Sequence, residues 1–87
     1  MVSKTVKVTN ASGFHMRPAT TFAGEMGKFK SRVTLEFGGR NVDGKSLMNI
    51  IAACIKCGSE VNVVCDGVDE EEALARAVAM IEAGFGE

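Results

Sequence analysis

Apolar and polar positions along the chain switch repeatedly between a period of two and a period near that of a helix, and each switch marks a predicted element. Val2, Val6 and Val8 fall on alternate positions among lysines and threonines, so the segment around VKVT predicts a strand with one wet face. A turn-rich NASG follows, and the period then lengthens. Ala19, Phe22, Ala23 and Met26 form one stripe of an amphipathic helix, for which Gly27 supplies a stop. RVTLEF alternates again, with Val33, Leu35 and Phe37 on one face. Gly38-Gly39 then links it to RNV as a hairpin, since both glycines accept positive φ.

The middle segment, LMNIIAACIK, is apolar almost all round. Leu47, Ile50, Ile51 and Cys54 share a helical stripe, Met48, Ala52 and Ile55 widen it, and Gly58 is the expected end. EVNVVCD alternates as Val61, Val63 and Cys65, a further strand. In the last segment, Asp69 and Glu72 have capping-box spacing, with acids at the positive end of the helix dipole. Leu74, Ala77, Val78 and Ile81 make its buried stripe, and Gly84 its cap.

The order β-α-β-β-α-β-α is an α+β pattern, most simply helices laid on one face of a four-stranded, mainly antiparallel sheet. Strand order does not follow from these periods. With 87 residues, positions 1–87 are expected to form a single domain with one modest core. A net charge of −1, with the two signs interspersed, argues against nucleic-acid or anionic-membrane binding, and five Phe without Tyr or Trp leave little for base stacking. The sequence shows neither a signal-length apolar run nor one long enough to span a bilayer, so no direct membrane insertion is expected. Three cysteines, an odd number, point to free thiols in a reducing cytoplasm.

The only histidine and the only proline of the chain lie together in GFHMRPAT, residues 13–20. Proline is tolerated in the first turn of a helix, so Pro18 puts His15 at or beside the N-cap, with Gly13 allowing a sharp turn before it. A helix start offers unpaired N–H groups and partial positive charge to an anion, and Arg17 can swing a guanidinium to the same place. Neutral imidazole has a lone pair for attack on phosphorus. Spacing alone leaves two readings: a surface histidine, or a nucleophile with its own anion site. A triad lacks partners at distinctive spacing, and a metal site would need further ligands. CIKC at 54–57 is a single C-x-x-C, open to redox or zinc chemistry or to plain, partly buried thiols.

GFHMRPAT resembles the phosphorylation-site signature of the HPr family, the histidine-containing phosphocarriers of the sugar phosphotransferase system. GKSLMNI, residues 44–50, resembles that family's second signature, around its regulatory serine. The likeness runs from Thr5 to about Gly84 without insertion. It implies an open-faced β-sandwich, a four-stranded antiparallel sheet with three helices on one side, in a cytoplasmic protein that is a substrate of enzymes more than an enzyme. His15 would accept a phosphoryl group on Nδ1 from enzyme I and pass it to enzyme IIA of sugar transporters, with Arg17 balancing its charge. No cofactor and no metal are implied, and the chain is expected to act as a monomer.

The middle helix is apolar all round either because it is buried on several sides or because part of it is a docking patch, and periodicity does not sort the two. The resemblance assigns docking to Leu47, Met48 and Ile51, with Met16, Arg17, Thr20 and Gly24 from the first helix. Ser46 precedes that helix as an N-cap. By resemblance to Gram-positive members, suggested by KSLM and the ending AGFGE, it is also the target of an HPr kinase/phosphorylase, through which a catabolite-control transcription factor would be engaged. A phosphoserine there would sit on a helix N-terminus beside Leu47 and Met48 and hinder transfer to His15. The chain departs from the family pattern at Phe14, Met16, Cys54 and Cys57, where Leu or Ile, a small or hydroxyl residue, Gly, and Lys or Gln are commoner. A paralogue that acts mainly through Ser46 is the rival reading.

Overall fold

The computed structural model describes residues 1–86; the last residue of the AGFGE ending lies outside them. Four strands and three helices alternate as expected: β1 (Val2–Lys7), α1 (Met16–Met26), β2 (Arg32–Phe37), β3 (Arg40–Asp43), α2 (Leu47–Ala53), β4 (Glu60–Asp66) and α3 (Glu70–Glu82), followed by a 3₁₀ turn at Gly84–Gly86. The strands pair antiparallel in the order β1-β4-β2-β3. β1 and β4, distant in sequence, are therefore neighbours, with Val6 opposite Val61.

Alternation decides which face is covered. Val6, Val33, Leu35, Val42, Val61, Val63 and Cys65 point into the core, while Thr5, Asn62 and Glu36 form a polar row on the open face. That row is hydrogen-bonded across three strands, Thr5 Oγ1 to Asn62 Oδ1 at 3.3 Å and Asn62 Nδ2 to Glu36 Oε1 at 2.9 Å. The covered face carries the helices. α3 lies over β1 and β4, α2 against β3, and α1 against α2 and α3. Phe22, Met26, Ile50 and Ile81 fill the space between the layers and are fully buried. The β2–β3 hairpin turns through Gly38 and Gly39 at φ 59° and 79°, both positive as a two-residue turn requires.

Three local expectations are corrected. First, α2 ends at Ala53, not at Gly58, because Cys54 turns left-handed at φ 55°. Cys54 thus leaves the apolar stripe and is exposed, as is Cys57, so neither is the partly buried thiol of the plainer reading. Second, Asp69 occupies the N-cap position of α3 but makes no side-chain cap, so the capping box with Glu72 does not form. Its carboxylate instead accepts from the amides of Lys30 and Ser31, each at 2.9 Å, and from the Ser31 hydroxyl. The hydroxyl bond, then the Lys30 amide, hold the Asp69 carboxyl down at about 2. Third, Leu74 is half-buried, and Ala73 and Met80 join Ala77, Val78 and Ile81 in the α3 core face.

Candidate functional site

The site is built by the loop between β1 and α1, and one buried ring holds that loop. Phe14 is 2% exposed. Its ring meets Phe22 and Phe85 edge-on, with centroids 5.3 and 4.7 Å away. Its amide donates to the Ile55 carbonyl at 2.9 Å. On either side, Gly58 N–H donates to Val8 O at 2.7 Å and Asn10 Nδ2 to Gly13 O at 2.8 Å. Gly13 makes this close approach feasible. Its φ is +62°, and a Cβ there would lie 2.6 Å from Ile55 O.

With Phe14 anchored inward, His15 is turned outward. It is the N-cap of α1, in extended conformation, and its ring is exposed while its carbonyl accepts from Ala19 N–H at 2.9 Å. Met16 and Arg17 follow as the first helical residues, and Pro18 is third. Helix geometry leaves the first amides without an intrahelical acceptor, and Pro18 has no N–H, so the amides of Met16 and Arg17 are the donors at this helix mouth. No carboxylate stands in the first turn to compete for them. A charge-assisted bond from such an amide to an anionic oxygen would contribute about 1.5–3 kcal/mol. Arg17 is exposed and follows the imidazole by two residues.

Met16, Thr20 and Gly24 recur every fourth residue along the exposed side of α1, opposite buried Ala19, Phe22, Ala23 and Met26. Thr20 Oγ1 donates to Met16 O at 2.7 Å, and a Cβ at Gly24 would meet nothing within 4 Å. On α2, Met48 is 72% exposed while Leu47 and Ile51 are half-buried. Ile50 and Ala53 face the core and Met48 faces outward, while Leu47 and Ile51 lie between the two, packed in part against the core. Ile51 joins the two helices, lining with His15 and Met16 a shallow, mostly apolar depression of about 300 Å³.

Ser46 does not line that depression; it caps the opposite end of α2, its Oγ accepting from Asn49 N–H at 3.3 Å. Sequence reasoning did not find Cys54, Ile55 and Lys56 as further walls of the depression, because the contact arises from loop packing across some forty residues. Among the described residues, no three of His, Cys, Asp and Glu converge as metal ligands, and no helix is long and apolar enough to cross a membrane.

Residues 2–83 match the family model described as the PTS HPr component phosphorylation site. The phosphocarrier protein HPr of Treponema pallidum is 37% identical over 87 residues, covering 100% of this chain and 99% of that one. A crystal structure of HPr from Thermoanaerobacter tengcongensis superimposes with a TM-score of 0.96 at 37% identity, covering 100% and 98%. A crystal structure of Crh, a catabolite repression protein of Bacillus subtilis described as a swapped dimer, gives a TM-score of 0.76 at 36% identity, covering 94% of each chain.

Proposed function

The chain belongs to the PTS HPr family of phosphocarrier proteins, and from that premise we propose that His15 is its phosphoryl acceptor, loaded by enzyme I and unloaded by enzyme IIA components of sugar transporters. The imidazole lone pair attacks phosphorus, the donor's bond to phosphorus breaks, and the group moves to the ring; the same displacement in reverse delivers it onward. The observation that carries this is the exposed His15 ring at the mouth of α1, with the Met16 and Arg17 amides beside it and no carboxylate in the turn. Arg17 offsets the charge of the bound group. The Met16, Thr20 and Gly24 side of α1 and the Leu47, Met48 and Ile51 side of α2 form one docking surface for successive partners, and mobile Met side chains suit a patch read by several proteins. The chain works as a monomeric domain in the cytoplasm, without cofactor or metal.

Ser46 is the regulatory site, phosphorylated by an HPr kinase/phosphorylase and then read by a catabolite-control transcription factor. A phosphate there adds about −1.5 to −2 charges next to Leu47 and Met48 and opposes approach of an acidic partner. The test incubates the protein with phosphoenolpyruvate and enzyme I. Label should appear on His15, be lost in acid, pass to enzyme IIA, and vanish in His15→Ala; acid-stable label or an indifferent His15→Ala would refute the assignment. Sedimentation at working concentration checks the monomer, and a concentration-independent dimer would refute it.

The likeness to Crh favours a second reading, in which Ser46 signalling is the main role. Sugar uptake that survives His15→Ala in the host would favour it; uptake that fails favours the carrier.

A further inference from the structure

The five methionines of the chain divide into two sets. Met26 is fully buried and Met80 is 7% exposed, and both belong to the core. Met16 at 59% and Met48 at 72% stand open to solvent, as does Met1. Position separates these three. Met16 is the first residue of α1 and lines the depression together with His15, and Met48 is the second residue of α2. Met1 lies outside this face, its amine donating to Glu70 of α3 at 3.0 Å. The thioethers open to solvent on α1 and α2 therefore lie on the proposed docking surface, while those of the core are shielded.

Peroxides convert a thioether to a sulfoxide, turning a flexible apolar side chain into a polar one that carries a strong acceptor. In a core this change breaks packing; on an exposed side chain the new oxygen stays hydrated and the folded chain loses little. The cost appears only when a partner takes the side chain out of water. We propose that Met16 and Met48 are reversible oxidation sites, at which sulfoxide formation weakens docking on this face and leaves the fold intact. The inference rests on the docking surface described under the proposed function. In the forward step hydrogen peroxide gives one oxygen atom to sulfur and leaves as water; sulfur loses two electrons and the peroxide gains them. In the return step a methionine sulfoxide reductase draws two electrons and two protons from a pair of thiols, which become a disulfide, and the oxygen leaves as water. A sulfoxide oxygen that sheds its water against an apolar partner without finding a donor weakens association by about tenfold.

The probe is hydrogen peroxide, applied to the full chain carrying Cys54→Gly and Cys57→Ser, so that the two exposed thiols do not react in place of the thioethers; Cys65 is buried. Peptide mass mapping should place oxygen on Met1, Met16 and Met48 well before Met26 and Met80, with the melting temperature unchanged. Loading of His15 by limiting enzyme I, each preparation scored against its own untreated sample, should fall by about tenfold or more. The two sulfoxide reductases, one for each epimer, should restore it. Adding Met16→Leu and Met48→Leu should abolish the loss although Met1 is still oxidised. The inference is overturned by equal oxidation of core and open methionines, by an undiminished rate after both sites have taken oxygen, or by a loss that persists in the Leu variant. None of these results touches the carrier reading, which falls instead if the untreated protein is not loaded on His15.

Discussion

Replacing Gly13 with alanine tests how tightly the loop that presents His15 is specified. The new methyl would stand 2.6 Å from Ile55 O, while ordinary contact begins at 3.4 Å, so the carbonyl must retreat by about 0.8 Å. That carbonyl accepts from Phe14 N–H at 2.9 Å, and a retreat of that size carries the bond beyond hydrogen-bonding distance. A buried bond lost in this way costs about 1–3 kcal/mol. The left-handed conformation adds about 1–2 kcal/mol for a residue with a Cβ. Gly38→Ala isolates the second cost: φ is 59° against 62° at Gly13, and a Cβ there meets nothing within 4 Å. Both variants lose the same unfolded-chain entropy, so the difference between them, about 2 kcal/mol, reports the clash alone. Urea unfolding followed by circular dichroism reads it. With a slope of about 1–2 kcal/mol/M, the Gly13→Ala midpoint should fall about 1–2 M further than that of Gly38→Ala. Within the folded baseline, Gly13→Ala should also accept phosphoryl groups more slowly, and Gly38→Ala should not. Equal midpoints would refute the claim that backbone contact at Ile55 fixes the loop.

Other expectations follow from the same contacts. Phe14→Ala should cost about 3–5 kcal/mol by denaturation, since a fully buried ring with two aromatic neighbours is removed. Cys54→Gly should raise the melting temperature by about 2–4 °C: relief of left-handed strain at an exposed position outweighs the added unfolded-chain freedom by about 0.5 kcal/mol. The Asp69 carboxyl lies lower in the folded chain, at about 2, than its ordinary 3.8. Its contribution is therefore complete above pH 3.8 and lost as pH falls toward 2, and Asp69→Asn should flatten the acid limb of a stability-against-pH curve there. Ser46→Asp should slow phosphorylation of His15 by enzyme I while leaving the melting temperature nearly unchanged, because aspartate also caps a helix.

What could be read from the chain was what neighbours in sequence decide. Alternation in RVTLEF and EVNVVCD marked strands and their inward faces, and Pro18 located the start of α1 to within a residue. The misreadings have two causes: a partner far away in sequence, and a left-handed turn at a residue that is not glycine. Asp69 and Glu72 have the spacing of a capping box, but Lys30 and Ser31, nearly forty residues earlier, take the Asp69 carboxylate. The apolar spacing of α2 runs on through Cys54, yet the chain turns left-handed there without the glycine that usually signals it. The pairing of β1 with β4, and the depression that both His15 and Cys54 line, depend on contacts between segments far apart in sequence, which no local period encodes.

The most direct test compares amide proton–nitrogen spectra of the protein before and after phosphorylation by enzyme I. If the phosphoryl group on His15 is received by the first turn of α1, the Met16 and Arg17 amide protons should move furthest downfield of any in the chain. Phosphorylation that leaves those two signals in place, with the large shifts elsewhere, would contradict the account.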